Sequence, residues 1–360
     1  ERLGVALAPL VAALDLSEVV LAGPEELLTP VLPVLRRTLA ARLAAAVMAT
    51  AAAFAQAQAP DRIVFATDWL AQAEHGGFYQ ALAEGIYRKH NLDVTIRMGG
   101  PQVNGLQLLA AGQIDVAMAD GLQVLSAVEQ GVPVVAIAAT FQKNPTVLIA
   151  QPGTAKIEQL KGKPIAIAAA ANTTYWPWLR QQFGFSDDQK RPYGFSVQPF
   201  LADKTLSQQG FATSEPFSIE KAGVKPVVFL LADYGYPPYS EALVVRRDTL
   251  DKRRDALARF VLASAEGWKS YLANPAPGNA LIRKDNPQMS DELLAFGHRK
   301  LREHGIVDSG DAKRDGLLTM TDARWRATVE FLKLTRLAKP NVDYPKAWNL
   351  QVVRGVKVLP

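Results

Sequence analysis

Asp68 and Trp69 stand side by side after the apolar run Ile63-Val64-Phe65-Ala66-Thr67, with His75 six residues further on. An indole face can stack on a planar ring for about 1–3 kcal/mol, judged by base stacking, and a neighbouring carboxylate can orient ring amino groups. Asp120 and Thr140-Phe141-Gln142 follow later apolar runs in the same way, and Gln102 lies in the link after the second run. A second set, Asn172-Thr173-Thr174 with Tyr175 and Trp176, places hydroxyls and free amide N–H groups at an expected helix start, suited to phosphate, sulfonate or carboxylate. Glu215 precedes a proline, and Asp233 and Tyr236 belong to the aromatic, Pro-rich stretch Asp233 to Tyr239. Duller roles compete at each position. Trp69 could be core, His75 a cap or packing residue, Asn172-Thr173-Thr174 an ordinary helix cap, and Glu215-Pro216 a bend with a solvated carboxylate. The tyrosines of 233–239 divide between hinge brace and cleft wall.

The elements that must position these residues alternate strand and helix with short links, the pattern of α/β architecture with mainly parallel sheets. Strands are expected at 63–67, 92–96, 114–118, 132–140 and 146–150, with helices at 77–90, 104–111 and 122–130 between them. A second unit opens with a short helix at 157–160 and a strand at 165–168. Asn172 then caps a helix to Phe183, and weaker strands follow at 195–197 and 211–213, with a strong one at 227–231. Residues 234–245 return the chain to the first unit. Beyond them the pattern is helical, with apolar stripes Leu257, Phe260, Val261, Ala265, Trp268, Leu272 and Trp325, Val329, Leu332. The expected fold is therefore α/β with two lobes: 60–148 and 238–350 form the first, and 149–237 the second, inserted through two crossings.

Ahead of this lies a segment with the order of a secretory signal. Val34 to Thr38 is cationic, Leu39 to Phe54 is Ala-rich and apolar, and Ala55-Gln56-Ala57 is a small-x-small cleavage site. The apolar run falls short of the roughly 20 residues of a bilayer span. The expectation is a signal peptide over 34–57, export to the periplasm and a mature chain from about Gln58. Residues 1–33, with Ser17 to Leu28 reading as strand, Gly-Pro turn and helix, resemble a C-terminal fragment of a ROK-type sugar kinase. They are expected to be an extraneous upstream fragment, with the true start at Val34. The apolar fraction of 49% and charged fraction of 21% are those of a globular protein. With no cysteine in the sequence, thiolate metal sites, Cys nucleophiles and disulfides are excluded. The net charge of +5 is scattered among acids without a basic stripe, so no nucleic-acid partner is expected. His75, His90, His298 and His304 are dispersed, and no metal and no cofactor are expected.

Asp68-Trp69-x5-His75 leading into Phe78-Tyr79, Gly85-Ile86-Tyr87 and Asn91-Leu92-Asp93-Val94 resembles the opening of the receptor family for thiamine pyrimidine precursors. Nitrate, sulfonate and taurine receptors are its relatives. Leu108 to Asp115, Gly131-Val132-Pro133-Val134, Leu160-Lys161-Gly162-Lys163 and Ser214-Glu215-Pro216 match further motifs in order, over roughly 60–350. The resemblance implies a type II periplasmic binding protein, monomeric, that closes two lobes on a solute and delivers it to an inner-membrane ABC permease. A pyrimidine precursor is the favoured solute, with sulfonate, taurine, nitrate or a flavin-like molecule as alternatives. The family also contains a fungal enzyme that builds the pyrimidine from its own histidine and pyridoxal phosphate. Between Ile114 and Gly131 this chain has neither Lys nor His, with Ala119 and Gln123 at the matching positions. No enzyme activity is expected. A cytosolic regulatory domain of the same fold would lack the signal.

Overall fold

The computed structural model describes Pro33, Arg37, residues 59–100 and residues 103–360. The chain divides into units Glu1–Ala59 and Pro60–Pro360. The second is described below; the expected upstream fragment and signal lie outside the described residues apart from Pro33 and Arg37, both helical and exposed.

β1 (Asp61–Ala66) and β2 (Leu92–Arg97) pair in parallel from Asp61↔Leu92 to Ala66↔Arg97. Between them the helix expected over 77–90 breaks in two, α1 (Gly76–Ala83) and α2 (Ile86–Lys89), because Gly85 turns left-handed at φ 66°. α3 (Gly105–Ala110), β3 (Val116–Ala119), α4 (Gly121–Glu129) and β4 (Val134–Phe141) follow. β2 alternates buried and exposed residues, as a one-sided edge strand should, whereas β4 is buried at every position. The outer side of β4 is covered: Asn349 N–H donates to the Ala136 carbonyl (2.9 Å) and Ala139 N–H to the Leu318 carbonyl (3.0 Å).

The second sheet is built from β5 (Thr146–Ala150), β6 (Ile165–Ile167), β7 (Lys190–Pro192), β8 (Ser207–Phe211) and β9 (Val227–Leu230). Its helices are α5 (Tyr175–Phe183), α6 (Gln198–Ala202) and α7 (Glu215–Lys221). The chain then re-enters the first sheet as β10 (Ser240–Arg246). α8 (Arg247–Ala273), α9 (Ala276–Asp285), α10 (Asp291–Glu303), α11 (Ala312–Asp315) and α12 (Asp322–Leu334) complete the unit. The strand orders are β2-β1-β3-β10-β4 and β7-β6-β8-β5-β9. Each sheet is parallel except for one strand, β10 in the first and β5 in the second. Those two are the strands that follow the crossings, so the chain reverses direction wherever it changes sheet.

Two strands fall elsewhere than expected. Residues 195–197 form no strand, since Phe195 adopts φ 55° and ends any extended run; the pairing there is made by β7, a few residues earlier. The later strand ends at Phe211 instead of starting there. The stripe from Leu257 to Leu272 is buried as expected and packs with Phe65, Phe78 and Trp268, whose rings lie 4.7 to 5.9 Å apart along the chain of contacts.

Candidate functional site

Because β10 runs against its neighbours, its first residues lie beside the carboxyl ends of β1, β3 and β4, where ligands bind in open α/β sheets. Ser240 is opposite Phe141, and Ala242 is opposite both Ala139 and Ala119. Glu241 therefore lies in register between Asp120 and Thr140. The turn after β1 brings Asp68 to the same rim. Thr67 Oγ1 donates to the Trp69 carbonyl (2.8 Å) and accepts from Gly99 N–H (3.0 Å). A Cβ at Gly99 would lie 2.3 Å from the Thr67 carbonyl oxygen, so only glycine allows this approach. His75, 1% exposed, ends a 3-10 turn with Nε2 3.2 Å from Asp68 Oδ1.

A groove of about 860 Å³ opens at this rim. Asp68, Val103, Asn104, Gln107, Met118 and Gln123 line one side, and Thr173 and Thr174 contribute from the second lobe. Trp69, next to Asp68 in the chain, reaches Phe195 of the second lobe, with ring centroids 5.9 Å apart and planes 30° apart. Phe195 is 65% exposed and also touches Tyr193 (5.3 Å). Tyr193 Oη donates to Glu215 (3.0 Å), whose carboxylate also accepts from Phe211 N–H and Ser214 Oγ.

The remaining expected residues divide between groove and scaffold. Asp120 caps α4, accepting from Leu122 N–H (2.9 Å), and takes a further bond from Asn144 Nδ2 (3.2 Å) at the crossing. Asn172 does not cap α5. A 3-10 turn over Ala169–Thr173 intervenes, Asn172 donates to the Ala169 carbonyl, and both threonine hydroxyls donate to the Ala170 carbonyl. Those hydroxyl protons are thus committed to the backbone, which weakens the expected anion cradle. Tyr175 Oη donates to Gln209 (2.6 Å). Trp176 is buried in the second lobe with its indole N–H on Asp187 (2.9 Å), away from the groove. Phe141 and Gln142 are likewise interior, Gln142 tying β4 to the Thr319 carbonyl (2.8 Å). Thr140 is buried, its hydroxyl without a partner among the described residues. Asp233 pairs with Lys143 (2.7 Å), and Tyr236, expected as a ligand-binding residue, packs between the rings of Trp178 and Phe331 and does not line the groove. Gln102 lies outside the described residues.

Glu74 and Glu241 were not among the expected site residues. Both are buried. Glu74 accepts a bond from Thr213 Oγ1 of the second lobe, and burial raises its carboxyl above the usual range. Burial, then the charge of Asp68, raises Glu241 well above it. The available signal was a glutamate directly ahead of the apolar run Ala242-Leu243-Val244-Val245, where the strand carries it into the interior at a cost in stability unless something uses it.

Burial also pushes the Asp120 carboxyl up to about 6. Its unfolded value is about 4, so between those values the folded chain holds more proton than the unfolded one, and stability falls as pH rises from about 4 to about 6. Asp120→Asn retains the cap and flattens this slope in urea unfolding of the solute-free protein at pH 4.5, 5.5 and 7. Identical slopes in the two proteins would remove the assignment.

The fold is shared with solved solute receptors. The periplasmic aliphatic sulphonate binding protein SsuA of Escherichia coli superposes with a TM-score of 0.63 at 14% identity, over 81% of this chain and 93% of that one. In sequence the chain is similar to riboflavin-binding protein RibY of Chloroflexus aurantiacus, 25% identical over 305 residues that cover 82% of this chain and 86% of that protein. It is also 24% identical over 224 residues to a formylaminopyrimidine-binding protein of Halalkalibacterium halodurans, covering 58% and 66% of the two chains. Residues 72–277 match the NMT1/THI5-like family model. With more than half of its length matched, and with two mixed sheets in the arrangement of type II periplasmic binding proteins, the chain belongs to the NMT1/THI5-like family.

Proposed function

We propose that the chain is an exported solute receptor that closes its two lobes on a planar nitrogen heterocycle and presents it to an ABC permease. An aminopyrimidine of the thiamine-precursor class is the first choice. The observation that carries this reading is the charge of the groove. Asp68 and Glu129 line it, Asp120 lies beside Asp68 on the rim, and no lysine, arginine or histidine lines it among the described residues. An anion placed there would meet like charges in a partly dry site, which disfavours sulfonate, taurine and nitrate. A ring bearing N–H donors finds acceptors in those carboxylates and a stacking face in Trp69. A flavin is the second reading: the groove exceeds what one six-membered ring fills, and the similarity to RibY spans most of both chains.

Closure follows if the solute touches both lobes, since only then does it bind the closed state better than the open one. Micromolar binding needs about 8 kcal/mol, within reach of one stacked ring and a few oriented hydrogen bonds. A thermal-shift panel of aminopyrimidines, riboflavin, alkanesulfonate, taurine and nitrate on chelator-treated protein tests this. A heterocycle at a hundredfold excess over Kd should add about 2.7 kcal/mol, a melting shift of roughly 5 °C. Stabilisation by the anions alone would overturn the reading.

A further inference from the structure

Asp68, His75 and Glu241 come from three separate places, the turn after β1, the 3-10 turn before α1 and the start of β10. One ligand atom from each lies within 4.8 Å of the other two. Sequence spacing could not show this, because the third member arrives from the far side of the inserted lobe. Glu241 is 3% exposed, and no N–H or O–H among the described residues donates to its carboxylate; Oε2 is wholly enclosed. Its neighbour is the carboxylate of Asp68, a second acceptor. His75 Nδ1 is also enclosed and unpartnered. Glu241 further holds φ 56° inside a strand, a costly backbone state for a residue other than glycine. Two acceptors facing each other with no donor between them are stable only with a proton or a cation in the gap.

We infer that Asp68, His75 and Glu241 form a binding site for a divalent transition-metal ion of the Zn²⁺ class, with one coordination position open to the groove. One imidazole and two carboxylates suit a borderline ion better than Mg²⁺ or Ca²⁺, which prefer oxygen alone. Bonds of about 2.1 Å in a tetrahedron put ligand atoms about 3.4 Å apart. The ligand atoms now lie within 4.8 Å of one another, so binding draws them closer. Asp68 faces the groove while His75 and Glu241 lie deeper, so the fourth position points toward solute. An ion here offsets the Asp68 and Glu241 carboxylates, and its open position accepts a lone-pair donor such as a ring nitrogen or a carboxylate.

The test is calorimetric titration of ZnCl₂, with MnCl₂ and MgCl₂ for comparison, into tag-free, chelator-stripped protein without solute. One Zn²⁺ per chain at micromolar or tighter Kd, at least tenfold weaker in Glu241→Gln and in Asp68→Asn, and an X-ray absorption shell of mixed N and O ligands are expected. Glu241→Gln is isosteric and removes a buried charge, so its fold is checked by circular dichroism and is expected to persist. Absence of stoichiometric binding, or equal affinity in Glu241→Gln, means the gap holds only a proton and overturns the inference. The titration contains no solute and the solute panel contains no metal, so either result can fail without the other.

Discussion

Trp69→Ala weakens solute binding at least tenfold and leaves the melting temperature of the free protein nearly unchanged. Trp69 is half-buried, follows the groove-lining Asp68 in the chain and lies against Phe195 of the opposite lobe, with no core ring among its partners. Stacking of a planar ring on an aromatic face contributes about 1–3 kcal/mol, which is tenfold or more in Kd at 1.4 kcal/mol per decade. Phe195→Gly separates the two contributions. At φ 55° glycine is at ease where phenylalanine is not, so this variant is expected to fold as well as the parent and to lose affinity through the missing second face. Isothermal titration with the solute found in the panel measures both. Retained affinity in both variants would remove this aromatic pair from the binding site.

The second large effect concerns stability. Gly267→Val is expected to destabilise the protein by about 3 kcal/mol, a drop of roughly 6 °C in melting temperature. A Cβ at Gly267 of α8 would lie 2.3 Å from the Gly77 carbonyl oxygen and 2.6 Å from Ala81 Cβ, both on α1. The obstacle is another backbone, which cannot rotate aside. On the other face of this contact, a Cβ at Gly77 would enter the ring of Trp268 at 2.2 Å, and one at Gly76 the ring of Tyr271 at 2.1 Å. Helix propensity alone favours alanine over glycine at 267 by about 1 kcal/mol, so Gly267→Ala gives the sharper contrast. A gain in stability there, read by urea unfolding, would mean that the helices are not in contact as described. Since α1 begins one residue after His75, pushing it outward also draws the imidazole away from Asp68, and loss of fold and loss of site should appear together.

Much of the rim was legible in the sequence because short parallel strands announce their own ends. Ile63 to Ala66, Val116 to Ala119 and Val134 to Phe141 are apolar runs, and the polar residues that follow them, Asp68, Asp120 and Gln142, had to lie near one edge of the sheet. What was not legible depended on contacts between distant segments. Glu241 looks like a solvated charge until β10 is known to enter between β3 and β4. The Asn172 cap failed because its neighbours Thr173 and Thr174 are satisfied by the Ala170 carbonyl, which favours a tighter 3-10 turn and moves the helix start to Tyr175. Trp176 and Trp178, two apart on one helix, could not both face the groove, and local pattern did not say which would. In the structure Trp176 reaches Asp187 and Trp178 braces Tyr236.

The late arrival of β10 also constrains how the polypeptide can assemble as it is made. β5 to β9 are contiguous in the chain, so that sheet can form as soon as residue 230 has emerged. β3 and β4, by contrast, share no pairing of their own; each waits for a strand that begins only at Ser240. During synthesis their inner edges remain open, with bare amide and carbonyl groups and fully apolar faces, for roughly a hundred residues. Such edges invite pairing with other chains. A nascent protein halted before residue 246 would be a finished small sheet tethered to a sticky, half-built one.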